Sequence, residues 1–250
     1  MGYEAPRRVE TSARTFVIIE HLDHVEHARI STIARELEMS KGIVHNHVST
    51  LRELGYVTKR GPHYQLSAKL VHLGRRVRSH SPLYRAATSA LGAYADRVDT
   101  GVLLIERAGQ QGIVIDSHRL PPSVALTVGS ALPMAHSLPG VVVLTMAGEA
   151  EEPVASADYD LESVRAALDE QGYVEGTLTA TDSTPCLAAP LVDDESCYGA
   201  LAALRPPVED TTHDIAAEIT TVRAEIEAGL GEDRSRKRSF ATEKHAWIDS

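Results

Sequence analysis

The sequence predicts an α+β fold in two parts: a helical segment closed by a short hairpin, then a larger segment mixing strands with helices. Three observations carry this reading. A chain of 250 residues allows one large or two medium domains. Apolar residues recur at helical spacing over the first 55 positions, whereas beyond residue 100 short β-type runs alternate with helical ones. Charge divides between the same two regions. Residues 1–80 hold 13 Lys+Arg against 8 Asp+Glu, residues 81–230 hold 7 against 23, and residues 231–250 hold 5 against 4, within a net charge of -10.

Composition narrows the class. An apolar fraction of 43% excludes a disordered chain. The richest apolar run, Val141-Val142-Val143-Leu144, is far short of the ~20 residues of a membrane helix. Two cysteines, Cys186 and Cys197, exclude a disulfide framework and a four-thiolate zinc site. With an N-terminus that leads into no apolar signal segment, they predict a cytoplasmic chain.

The first helix is expected from about Ser12 to His24, with Phe16, Ile19 and Leu22 on its apolar side. Ser31 is expected to cap a short second helix, Thr32–Leu37, that buries Ile33, Ala34 and Leu37. Ser40 caps a third, from Lys41 to about Leu54, closed by Gly55 in a left-handed conformation. Val44, His47, Val48, Leu51 and Leu54 form the core stripe of that helix. Lys41, Gly42, His45, Asn46 and Ser49 fall on the opposite side near its N-terminal end, where a recognition helix presents side chains to base edges. Asn46 can pair bidentately with adenine, His45 and Lys41 can meet guanine or phosphate, and Gly42 permits close approach. Two short β runs then flank Lys59-Arg60-Gly61-Pro62-His63, a turn loaded with cations. Two short helices in this spacing followed by a basic hairpin make a winged helix-turn-helix. Its DNA-binding set is Ser40, Lys41, Gly42, His45, Asn46, Ser49, Lys59, Arg60 and His63.

Four segments follow: the winged helix-turn-helix at 1–67, a linker helix at 68–82, a second domain at 83–230 and a basic tail at 231–250. Pro82 sets the boundary after the linker, because proline disfavours helix in the residue before it. The second domain opens with a helix from Leu83 to about Val98. Gly101–Arg107 and Gly112–Asp116 pair around Ala108–Gln111, and Leu161–Gln171 is a helix ending at Gly172. Cys186–Val192 and Tyr198–Leu204 pair around 193–196, and Thr212–Leu230 closes the domain as a long helix. This order favours an antiparallel sheet carrying helices. The tail, with Arg234, Arg236, Lys237, Arg238, Phe240 and Trp247, either adds a phosphate contact or packs on a partner subunit.

Ile30–Leu37 through Ser40-Lys41, Thr50–Val57 and Tyr64–Ser67 resemble the IclR family of transcriptional regulators. The resemblance continues in Gly129-Ser130-Ala131-Leu132-Pro133, Gly172-Tyr173 and Leu187-Ala188-Ala189-Pro190, and so covers about residues 11–230. It implies a GAF-like effector domain, joined by the linker helix to the winged helix-turn-helix, whose sheet cups a small organic effector of the sugar, sugar acid or carboxylate class. It further implies double-stranded operator DNA as partner, a homodimer or dimer of dimers, and repression or activation, most simply of catabolic genes. It calls for no cofactor, metal or membrane. Cys186 matches a position that lines the family's pocket. The helix start at Leu138-Pro139-Gly140 offers amides to an anion, and Ser130, Thr177 and Asp182 come from neighbouring loops. The sequence departs from the family's pattern in three places. Asn46 stands where an arginine or similar large residue is common, Val141 where a lysine is usual, and Ala135-His136 reverses a histidine-alanine pair.

Other readings fare less well. His21, His24 and His27 do not converge tightly on a helix, and no carboxylate or cysteine completes a metal site. No nucleophile elbow, phosphate loop or dinucleotide turn is present, so an enzyme is not expected. Two alternatives stay open: a DNA-binding regulator that needs no effector, and a thiol redox sensor.

Overall fold

The computed structural model describes residues 6–149, 159–179, 184–193, 196–205 and 215–246, with side chains to residue 232. By its contacts the chain divides into two compact units, the first ending at Ser79 and the second running on from His80.

The first unit contains α1 (Glu10–Val25), α2 (Ile30–Glu36), α3 (Lys41–Glu53), β1 (Val57–Arg60), β2 (His63–Leu66) and α4 (Lys69–His80). Its core is built where helical periods meet. Ile18 and Leu22 of α1, Ile33 and Ala34 of α2, and Val44, Val48 and Leu51 of α3 close over Val57 and Tyr64 of the wing. Each large aliphatic side chain so buried contributes about 1.5–3 kcal/mol. The Ser40 hydroxyl accepts from Ile43 N at 3.2 Å and starts α3 as expected, and Gly55 ends it at φ +79°. Ala28 exchanges backbone hydrogen bonds with Tyr64 at 3.0 and 2.8 Å, which ties the α1–α2 connection to the wing.

Several expectations shift. Phe16 is 63% exposed, because the buried face of α1 runs through Ile18 and Leu22 with Ile19 at its edge. α2 begins at Ile30, one residue before Ser31, and Arg29 stands at the cap with no side-chain bond. Leu37 is half-buried at the α2 C-cap. Leu54 is 54% exposed, so the core stripe of α3 ends at Leu51. The wing turn is only Gly61-Pro62: Arg60 pairs with His63, and Gly61 takes φ +57°. α4 extends to His80, and Ser81 caps α5 (Pro82–Val98) by accepting from Tyr84 N at 3.1 Å.

The second unit adds β3 (Val102–Ala108), β4 (Gln111–His118), β5 (Ala131–Pro133), α6 (Leu138–Met146), α7 (Leu161–Gln171), β6 (Val174–Thr177), β7 (Pro185–Val192), β8 (Cys197–Leu204) and α8 (Ile215–Ala246). The strands form one antiparallel sheet in the order β5-β4-β3-β8-β7-β6. Period-two alternation sorts its side chains. Val102, Leu104, Leu187, Ala189, Leu201 and Ala203 meet α5 and α8, while Leu103, Ile105, Cys186, Ala188 and Ala202 meet α6 and α7. The sheet is thus sandwiched between two helical layers, and both of its faces are apolar. The β3–β4 turn is Gly109-Gln110, shorter than expected, because Ala108 and Gln111 still pair. α8 does not stop at Leu230 but continues through Gly231 to Ala246. No proline interrupts it, and its two interior glycines, Gly229 and Gly231, each cost only about 1 kcal/mol. No helix among the described residues is long and apolar enough to cross a membrane.

Candidate nucleic-acid interface and effector region

On α3 the predicted reading set shares one exposed face. Ser40, Lys41, Gly42, His45, Asn46 and Ser49 are all exposed, while Val44, Val48 and Leu51 on the other side are buried. The side chains of Lys41, His45, Asn46 and Ser49 make no hydrogen bond or ion pair within the described residues, so their donors and acceptors are available to a partner. A Cβ built on Gly42 meets nothing within 4 Å, so no internal packing calls for glycine there.

The helix is held from behind. Thr15 Oγ1 lies 3.0 Å from Thr11 O and 2.8 Å from His47 Nδ1. The hydroxyl has one proton, and the Thr11 carbonyl can only accept. His47 Nδ1 therefore donates to Thr15, which fixes the tautomer of a neutral His47. This α1–α3 bond was not foreseen; His47 was expected to be core.

In the wing, Lys59 and Arg60 are exposed, and the Lys59 ammonium sits 5.4 Å from the Tyr64 ring centroid. His63 is not at the tip. It is half-buried as the first residue of β2, meets His27 edge-on at 5.2 Å, and its Nε2 accepts from Arg29 Nε at 3.3 Å. Arg29, exposed beside the wing, is the cation that sequence reasoning missed. It lies 34 positions from His63, and only the Ala28–Tyr64 bridge brings the two together.

Of the predicted effector residues within the described structure, only Leu138 and Thr177 border a common cleft. The anion-site reading of Leu138, Pro139 and Gly140 is overturned, since all three are buried and their donors are spent. Leu138 N donates to Leu178 O at 3.1 Å, Gly140 N to Ser137 Oγ at 3.3 Å, and proline has no N–H. A Cβ on Gly140 would run into the Met134 backbone, so close packing explains this glycine. Cys186 is wholly buried, opposite Gly176 and Leu204 in the ladder. Ser130 serves a turn, its Oγ accepting from Thr127 N at 3.0 Å. Thr177 lines a cleft between β6 and α7 that Leu138 also borders, and its carbonyl accepts there from Tyr159 OH at 3.2 Å. Asp182 lies outside the described residues.

The sulfur chemistry argues against a thiol sensor. Cys186 pairs with Leu204 and Cys197 with Val192, at opposite ends of the β7–β8 hairpin. Six residues of strand hold them about 20 Å apart. Burial pushes the Cys197 thiol up to about 11, away from the thiolate that redox chemistry needs.

Residues 12–61 match the family model described as the IclR helix-turn-helix domain. The chain is 23% identical over 250 residues to the HTH-type transcriptional regulator KdgR of Escherichia coli, covering 90% of this chain and 94% of that protein. Its fold matches the crystal structure of an IclR transcriptional regulator from Alicyclobacillus acidocaldarius with a TM-score of 0.72 at 18% identity, covering 90% of this chain and 100% of that one. An IclR homologue from Microbacterium hydrocarbonoxydans, solved with 4-hydroxybenzoate, matches with a TM-score of 0.67 at 18% identity over 89% and 100% of the two chains. These proteins are described as regulators or regulator homologues, not as enzymes.

Proposed function

We propose that the chain is a transcriptional regulator of the IclR family, which binds a specific operator through α3 and the wing and answers to a small organic effector through its α+β unit. The observation that carries the DNA reading is the bare face of α3. Lys41, His45, Asn46 and Ser49 offer unused hydrogen-bonding groups around an unobstructed Gly42, and the wing that follows α3 carries the exposed cations Lys59 and Arg60. In this reading Asn46 selects a base and the wing cations set affinity without reading sequence. His63, held by Arg29 and His27, supports the wing instead of reaching phosphate.

The effector reading draws on the Microbacterium relative, which was solved with an aromatic acid. Two copies of the chain would present two recognition helices to a pseudopalindrome, the half-sites one helical turn or a multiple apart. An effector acts by binding one arrangement of those helices more tightly than another. Control of catabolic genes rests on the resemblance alone. Selection of genomic fragments by the purified protein, with the genes beside each captured site identified, tests these points together. Capture of fragments no different from the input would contradict the operator reading, and captured sites beside genes outside catabolism would contradict that assignment.

A further inference from the structure

Strand β2 of the wing is paired along both edges. β1 lies along one, and along the other Ala28 of the α1–α2 connection exchanges two backbone hydrogen bonds with Tyr64. Ala28 and Tyr64 both turn into the core, and period-two alternation sends their chain neighbours to the outer face. Arg29 therefore stands against His63 from the connection, and Arg60 is the register partner of His63 on β1. The three make a row across the outside of the wing, in which Arg29 and Arg60 are exposed and His63 between them is half-buried.

The middle member of this row is held neutral. Arg29 Nε donates to His63 Nε2 at 3.3 Å, which requires a lone pair on Nε2 and leaves the ring proton on Nδ1. A second proton would remove that acceptor and set an imidazolium against a guanidinium. His27 meets the His63 ring edge-on at 5.2 Å, and Lys59, the other cation of β1, stands 5.4 Å from the Tyr64 ring centroid. Asp23, His24 and Glu26 at the end of α1 are exposed. Among the described residues no carboxylate bonds to His27, Arg29, Arg60 or His63, so none offsets the added charge.

We propose that this row is a proton-linked phosphate site: on binding duplex DNA, Arg29 turns from His63 to a backbone phosphate, and His63 takes up one proton from the solvent. The proposal deepens the DNA reading above and rests on it. Arg29 exchanges a neutral acceptor for a charged one, a hydrogen bond roughly twice as strong. His63 loses a cationic donor and gains a nearby negative charge, and both changes favour the imidazolium. His63 need not touch the phosphate itself. Arg60, at the other end of the row, holds the same strand of the duplex without reading its sequence. The sign is fixed by linkage. Binding that takes up one proton strengthens as pH falls, by up to about tenfold per pH unit, and weakens as pH rises.

Titration of the full-length protein with a mixed-sequence duplex, at constant ionic strength from about pH 8 to about pH 6, tests the site. Calorimetry in two buffers of different ionisation heat counts the protons. The wild type is expected to bind more tightly at the lower pH, with net proton uptake. His63→Gln keeps an acceptor for Arg29 but cannot be charged, and is expected to lose one proton's share of the slope, up to about tenfold per pH unit. Arg29→Gln is expected to lose the same share and to make the salt dependence shallower by about one phosphate contact. A histidine that only braces the wing would instead lower affinity equally at every pH. That result, an unchanged proton count in either variant, or proton release by the wild type would overturn the proposal. A chain that binds duplex with no proton uptake loses this site alone. One that binds no duplex at any pH loses the operator reading and the site with it.

Discussion

Gly42 occupies the first turn of α3 with open space around it, although glycine costs a helix about 1 kcal/mol relative to alanine. Gly42→Ala is therefore expected to raise the urea midpoint while weakening operator binding; a variant that gains stability and keeps full affinity would remove close approach as the reason for glycine. Asn46→Ala should lose discrimination at one base pair by about 1–3 kcal/mol. Equal losses on operator and unrelated duplex would take Asn46 out of the reading set. Arg60→Ala should instead lower affinity alike for all sequences and make the salt dependence shallower. In the other unit, Arg107 Nη1 and Nη2 donate to both carboxylate oxygens of Glu149 at 3.0 and 2.6 Å, and this hydrogen bonding holds the Glu149 carboxyl down at about 2. A depressed carboxyl stabilises the fold above its ordinary value of 4.5, and the contribution disappears as pH falls toward about 2. Denaturation at stepped pH should show a smaller acid loss in Glu149→Gln than in the wild type across that window; identical profiles would mean the pair does not couple to folding.

Among elements, those that owe their existence to their own residues were legible in the sequence. Ser40 and Gly55 bracket α3, Leu161–Gln171 ends at Gly172 with φ +79°, and β7 and β8 fall within a residue of expectation. Ser40→Ala is expected to cost about 1 kcal/mol in chemical denaturation, because Ile43 N loses its acceptor. A cost near zero would mean that water caps the helix equally well. β5 and β6 were not foreseen. They are three and four residues long at opposite edges of the sheet, and pairing to β4 and β7 makes them strands, not local propensity. Phe16 misled for a related reason. Helical spacing identifies a stripe but not its exact centre, and here the centre is Ile18–Leu22. The effector residues were the least legible. Ser130, Thr177 and Cys186 each sit near the expected element, yet whether they face a shared cavity depends on packing from strands and helices far away in sequence.

For the molecule as a whole, chemistry follows the division into two units. The first 80 residues carry the cationic excess and the exposed face of α3 proposed for recognition, and residues 81–230 carry the acidic excess, which under that proposal repels nucleic acid and leaves contact to the first unit. The measurement that bears most directly on this account is selection from a randomised duplex pool at moderate ionic strength, with the enriched sequences retested across salt. The account predicts convergence on a two-fold repeat with half-sites one turn or a multiple apart, bound less tightly as salt rises. A pool that stays random through successive rounds, with and without small organic anions present, would contradict it.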